Sequence, residues 1–207
     1  MIRELLELGH PKLREVAQPV APEEFGSDEL LQLIEDLIET MRARHGAGIA
    51  ATQIGVAKRV FVIEVNDNPR YPYKPKIPLT VLVNPQLRNL GDDTISVIEG
   101  CLSVPKLRGR VERFAQVELT AKSPQGQPLT LRAHGLSAGT LQHELDHLDG
   151  LLFTDRLESS DQLYSKANYD LFFADDFQRQ AETINKAYPE PIEITKHAWP
   201  SQPNNVS

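Results

Sequence analysis

The sequence predicts one domain of mixed helix and strand. Three observations point there. The chain has 207 residues, 40% of them apolar, which suits a single core with an irregular end. Two stretches, 27–44 and 137–149, repeat apolar residues at helical spacing. Between them lie short β-branched runs bounded by Pro, Gly and Asn, the punctuation of strands.

Residues 1–26 read as an extended lead-in with one short helical turn, interrupted by Pro11, Pro19 and Pro22. In 27–44, Leu30, Leu31, Ile34, Leu37, Ile38 and Met41 form an amphipathic stripe. Ser27 is the expected N-cap, Asp28 and Glu29 suit the positive end of the helix, and the helix should stop before Gly46. Residues 59–65 (Arg-Val-Phe-Val-Ile-Glu-Val) read as a strand, 66–78 as a polar Pro-rich loop, and 79–83 as a strand ended by Asn84-Pro85. Residues 110–121 and 128–133 suggest a hairpin around Ser123-Pro124-Gln125-Gly126. In the second helix, 137–149, Ser137 is the expected cap, and Gly150 stands where a C-terminal glycine belongs. The pattern weakens from 158, and 188–207, with four Pro, is expected to be irregular.

The net charge of −7 argues against a dedicated nucleic-acid or anionic-membrane binder, because phosphates demand a basic face. A single cysteine, Cys101, rules out a disulfide within the chain and suits a reducing compartment. The first residues lack the apolar core of a signal peptide, and no apolar run approaches the ~20 residues that span a bilayer. The expected location is the cytoplasm, with no membrane partner.

Three segments carry chemistry. Gln142-His143-Glu144-Leu145-Asp146-His147 contains H-E-x-x-H. On a helix, positions i and i+4 share a face, so both histidines can reach one metal while Glu144 stands beside them as a base. Set against this, two surface histidines on an ordinary helix would look the same. A catalytic site needs a third ligand. The downstream candidates Asp149, Asp155, Glu158 and His197 match no protease spacing, which counts against an H-E-x-x-H endopeptidase. Upstream, Glu99-Gly100-Cys101-Leu102-Ser103 holds the only thiol, which alone would read as a small buried hydrophobe. Gly46-Ala47-Gly48-Ile49-Ala50-Ala51-Thr52-Gln53 is dense in small residues that permit close backbone approach, and Gln53 adds an amide. On its own it reads as a glycine-rich turn followed by helix-start alanines.

Together the three segments resemble the motifs of the peptide deformylase family, G-φ-G-φ-A-A-x-Q, E-G-C-φ-S and Q-H-E-x-D-H, in order and at family-like spacing. The resemblance covers about residues 5–157 and includes His10-Pro11-Lys12-Leu13-Arg14, Asn84-Pro85 and Asp149-Gly150-Leu151-Leu152-Phe153. It implies an α+β fold with antiparallel sheets packed around a central metal-ligand helix. It also implies a catalytic domain over 1–157, with 158–207 a divergent extension packing on or trailing from it. By the same resemblance Cys101, His143 and His147 hold one divalent metal, natively Fe²⁺, with Zn²⁺, Ni²⁺ or Co²⁺ in a preparation. The fourth position is a water that attacks the formyl carbon of N-formylmethionyl peptides. Glu144 serves as general base and acid, and the Gln53 amide with the Leu102 N–H as oxyanion donors. Gly46 and Gly48 lie beside the substrate backbone. Arg108 stands near the pocket mouth, and Leu136, Gly139 and Thr140 wall the first side chain. Glu99 is expected to orient the site from behind the ligands.

The chain departs from the family pattern in three places. The loop at 66–78 is long and stands near the expected substrate entrance. His45 takes a position where relatives often carry an acid. Residues 169–176 (Tyr-Asp-Leu-Phe-Phe-Ala-Asp-Asp) are acidic and aromatic where some relatives carry a basic ribosome-docking helix. Ribosomal RNA would repel that charge, so ribosome docking through this tail is not expected. Its Phe and Leu are expected to pack on the body of the domain.

Overall fold

The computed structural model describes residues 1–195. Ser27 Oγ accepts from the Leu30 N–H at 3.2 Å and opens helix α1 (Asp28–Ala43), with Asp28 and Glu29 in its first turn. The apolar stripe read from the sequence is buried except at Leu31, which is half-buried, with Ile34, Leu37 and Met41 fully enclosed.

The strands are β1 (Gly48–Ala50), β2 (Val60–Val65), β3 (Ile77–Asn89), β4 (Thr94–Cys101), β5 (Val104–Phe114), β6 (Gln116–Lys122) and β7 (Pro128–His134). Helix α2 (Gly135–Leu148) follows, then β8 (Leu163–Ser165), α3 (Lys166–Phe172), α4 (Ala174–Ala187) and β9 (Ile192–Thr195). They form a six-stranded sheet in the order β1-β2-β3-β6-β7-β9 and a three-stranded sheet, β4-β5-β8. Every strand pairing is antiparallel, so the α+β class holds.

The period of two explains the layering. Along β2, Phe61 and Ile63 enter a core with Leu119, Leu131, Leu141 and Leu148, on the side of α2. Val60 and Val62 face the other way, into a core with Ile34, Leu37 and Met41 of α1. A strand buried on both faces must be apolar throughout, which is why Val60–Ile63 shows no polar alternation.

Several boundaries differ from the sequence reading. Strand β3 does not end at Asn84-Pro85 but runs to Asn89. Val83 pairs with Lys122 and Gln86 with Thr120, so β3 holds one extra residue there, a bulge. Asn84 takes a left-handed φ of 52°, and its side chain bonds the N–H and C=O of Val20 at 2.8 and 2.9 Å. Pro85, which has no N–H to give the ladder, fits such a bulge. The run 110–121 is two strands broken at Ala115, with β5 in the small sheet and β6 in the large one. The β6–β7 hairpin stands where the sequence put it.

The chain beyond 158 is more regular than its pattern suggested. Strand β9 pairs with β7 and forms the far edge of the large sheet. The rest of the segment expected to be irregular, 196–207, lies outside the described residues. Helix α4 buries Phe177, Ala181 and Ile184 against Val97, Ile98, Val111 and Leu136. The expectation for 169–176 is corrected. Tyr169 is buried, but Leu171 is 72% and Phe172 64% exposed. The short α3 packs through the face that carries Tyr169, and the next residues turn outward.

Phe177 is only 1% exposed. Phe177→Ala should therefore cost about 3–5 kcal/mol of stability, the usual price of emptying an aromatic site. Thermal or denaturant unfolding of the parent and variant checks this. An unchanged midpoint would mean that α4 adds nothing to the core.

Candidate metal centre

Helix α2 lies inside the protein, with twelve of its fourteen residues buried. It starts two residues before Ser137. Gly135, at φ 56°, turns the chain out of β7, and His134 stands at the N-cap without a side-chain bond. Ser137 is therefore no cap, and its buried Oγ has no hydrogen-bond partner among the described residues. The C-terminus follows the expectation. Gly150 has φ 73°, its N–H bonds the His147 carbonyl at 3.3 Å, and the Leu151 N–H bonds that of Asp146 at 2.8 Å. This glycine-terminated cap closes the helix just past His147.

The i, i+4 spacing places the His143 and His147 rings 4.9 Å apart at near right angles. Strand β4 ends on Cys101, where a tight turn at Leu102-Ser103 leads into β5. The ligand atoms of Cys101, His143 and His147 all lie within 4.8 Å of one another. Cys101 Sγ is 3.2 Å from His147 Nε2 and accepts from the Ser103 N–H at 3.3 Å. Among the described residues this is the only such cluster. Asp149 instead pairs with Arg59, and Asp155 with Arg14. His197 lies outside the described residues. The third member of the cluster is thus upstream of the helix, where an endopeptidase reading would not have it.

The donor set fits a divalent metal. Burial alone would raise the Cys101 pKa, but the charge of His147 and hydrogen bonds from His143 and His147 outweigh it and hold the thiol well below its ordinary range. Behind the ligands, Glu99 Oε2 lies 2.7 Å from His143 Nδ1. With Nδ1–H donating there, a neutral, metal-bound His143 would turn its Nε2 lone pair to the cluster. Arg113 grips both oxygens of Glu99, at 2.8 and 3.0 Å, and reaches Asp146 Oδ2 at 2.7 Å. Arg156 holds the other Asp146 oxygen at 2.6 Å. Burial would favour a protonated Glu99, yet the charges of His143 and Arg113 keep its pKa far below the usual carboxylate value.

The first motif is not a glycine-rich turn. Its Gly48–Ala50 forms β1, and Ala51–Ile54 is a short 3₁₀ turn. Gln53 Oε1 accepts from the Ala50 N–H at 2.9 Å, and its Nε2 reaches Ser103 Oγ at 3.1 Å and Cys101 Sγ at 3.5 Å. Gly48 packs directly on Glu144, and a Cβ there would overlap the carboxylate. Burial raises the Glu144 pKa, partly countered by His143 and His147. Its Oε2 is buried without a hydrogen-bond partner among the described residues.

These groups open on one cavity. Gly46, Gly48, Gln53, Leu102, Leu136, Gly139, Thr140, His143 and Glu144 all line it. Arg108 does not. Its guanidinium lies over Gly100, donates to the Leu107 carbonyl at 2.8 Å and borders a neighbouring groove. Sequence reasoning missed Tyr71, Tyr73 and Lys74, which the 66–78 loop brings to the wall, and Phe177 of α4. The aromatic spacing Tyr71-Pro72-Tyr73 in a polar loop was the available signal. Asn68 anchors that loop by bonding the carbonyls of His45 and Gly46, each at 3.0 Å.

Comparison with known proteins places this geometry. The polypeptide deformylase family model matches residues 2–163. Peptide deformylase 1 of Prochlorococcus marinus (strain MIT 9313) is 46% identical over 161 residues, 77% of this chain and 82% of that protein. Peptide deformylase 2 of Pseudomonas syringae pv. tomato is 40% identical over 84% of this chain and 96% of its own length. The class I type b peptide deformylase from Acinetobacter baumannii, solved with Met-Ala-Ser bound, superposes with a TM-score of 0.73 at 38% identity, over 76% of this chain and 99% of that one. Among the described residues no helix is long and apolar enough to cross a membrane.

Because Glu99 sets the orientation of His143, Glu99→Gln should weaken metal binding about 10- to 100-fold. Competition with a chelator, followed by metal analysis, measures it. Unchanged affinity would mean that Glu99 does not orient the ligand.

Proposed function

We propose the following function from the premise that this chain belongs to the peptide deformylase family: it hydrolyses the N-formyl amide of N-formylmethionyl nascent peptides and releases formate. One observation carries the detailed reading. The Glu144 carboxylate shares a cavity wall with Gly48 and Gln53, directly beside the Cys101, His143 and His147 cluster.

Cys101, His143 and His147 would hold one divalent ion, Fe²⁺ natively with Zn²⁺, Ni²⁺ or Co²⁺ as alternatives, and that ion supplies the Lewis acidity that acidifies water at neutral pH. Glu144 takes a proton from the attacking water and returns it to the leaving amine. Its burial supports this role, since a carboxylate with a raised pKa is a stronger base toward the water proton. The Gln53 amide and the Leu102 N–H receive the oxyanion. The bond from the Ala50 N–H fixes the Gln53 carbonyl, so its NH₂ is already turned toward Cys101 before substrate arrives.

Strand β1 is an edge of the large sheet, which supports pairing of an extended peptide along Gly46–Gly48. Leu136, Gly139 and Thr140 would then wall the first side chain. Arg108 would act on the substrate from the adjoining groove at the mouth.

Protein prepared without oxygen and loaded with Fe²⁺ or Ni²⁺ should release formate from formyl-Met-Ala-Ser. Glu144→Ala should lose about 10²- to 10⁴-fold in kcat while still binding metal. Gly48→Ala, which displaces the Glu144 carboxylate, should lose on the order of 10²-fold. No formate from a folded, metal-loaded parent would sink the proposal.

A further inference from the structure

Lys74 comes from the loop between β2 and β3, and its ammonium reaches the same cavity. Nζ donates to Thr140 Oγ1 at 2.8 Å and lies 4.9 Å from the centre of the Tyr71 ring. Thr140 spends its own hydroxyl proton on the Leu136 carbonyl at 3.1 Å, so its lone pair is left to receive Lys74. An ammonium has three N–H donors. One is used on Thr140, and the Tyr71 face adds an electrostatic contact. The surrounding walls strip water from the group and lower its pKa, against the pull of Glu99 and Glu144. A donor in such a place is costly to leave unused.

Its position relates it to the reacting centre. Thr140 and Glu144 are about one turn apart on α2, about 6 Å along the axis. The ammonium, bonded to Thr140, therefore lines the same cavity as Glu144, at the wall assigned above to the first residue.

We propose that Lys74 is a specificity residue that donates a hydrogen bond to a neutral acceptor at the end of the substrate's first side chain, and so fits the enzyme to N-formylmethionine sulfoxide peptides. The proposal rests on the deformylase reading. The sulfoxide keeps the length of methionine and replaces a weak thioether acceptor with a strong S=O acceptor. A carboxylate fits less well. Glu99 and Glu144 border the cavity, and Leu136, Val97 and Phe177 would desolvate a second charge. The reaction is the same hydrolysis, in which amide and water give formate and a free amine. The sulfoxide oxygen is bound and not consumed.

The test compares kcat/KM for formyl-Met(O)-Ala-Ser, formyl-Nle-Ala-Ser and formyl-Glu-Ala-Ser in the metal-loaded parent and in Lys74→Met, which keeps the length and loses the donors. The sulfoxide-to-norleucine ratio should fall about 10- to 100-fold in the variant, the loss of one charge-assisted hydrogen bond. Each ratio is taken within one preparation, so incomplete folding or metal loading cancels. Calorimetric binding of Met(O)-Ala-Ser and Nle-Ala-Ser to metal-free protein should show the same shift in preference. An unchanged ratio would overturn the role of Lys74 alone, as would a parent that prefers the glutamate peptide to the sulfoxide. No formate from any of the three peptides would remove the deformylase reading and this proposal with it.

Discussion

The contact on which the site depends is the grip of Arg113 on Glu99 and Asp146. Cys101 belongs to the small sheet and the two histidines to the buried helix, so nothing in either element alone fixes the distance between them. Arg113, on β5, bonds Glu99 on β4 and Asp146 on α2 at once. Glu99 then bonds His143, and β4 delivers Cys101 two residues later. One guanidinium thereby ties the thiol-bearing strand to the histidine-bearing helix. Taking these charges out of water costs several kcal/mol per ion, and only a nearly complete set of hydrogen bonds offsets it. Arg156, on the far side of Asp146, helps to complete that set. The network is better understood as fixing geometry than as adding stability, since a packed apolar core would often serve stability as well.

The glycines follow from the same constraint. Helix α2 is buried nearly all round, so any backbone that passes its reactive face must pass closely. At Gly48 the neighbour is the Glu144 carboxylate, and at Gly100 it is the Arg108 guanidinium. A side chain at Gly48 would push β1 away from α2, and one at Gly100 would displace the Arg108 guanidinium. Thr52 Oγ1 on the His147 carbonyl, at 3.0 Å, holds the first motif against the end of the helix. The three motifs are far apart in sequence, yet they share one requirement: close approach to a single helix.

Some of this was legible in the sequence. The helix 27–44 and its Ser27 cap could be read because capping and a 3.6-residue stripe are local properties. The pairing of His143 with His147 could be read because H-E-x-x-H is also local, and Cys101 gained meaning only beside the other motifs. What stayed hidden depends on contacts distant in sequence. The bulge at Asn84-Pro85 looked like a strand end because a bulge and a turn draw on the same residues. Arg113 looked like one more charge in a strand, since its two partners stand 14 and 33 residues away. Ser137 looked like a cap because nothing local shows that Gly135 has already turned the chain.

The outer half of the cavity was the least legible part, and the reason is physical. Chemistry at the metal demands fixed residue types, which leave motifs. A substrate wall demands only shape and a few polar points, which different segments can supply. Here the supply comes from a loop anchored by Asn68 on the backbone of His45 and Gly46, and from α4, which lies beyond the last of the chemical motifs. Tyr73 and Phe177 join the two, with rings 5.2 Å apart and perpendicular. The loop and the C-terminal helix therefore form one wall although 104 positions separate those residues. The segments that break the family pattern at 66–78 and beyond 158 meet over the cavity, so the departures lie in its outer wall and leave the Cys101, His143 and His147 cluster as the motifs set it.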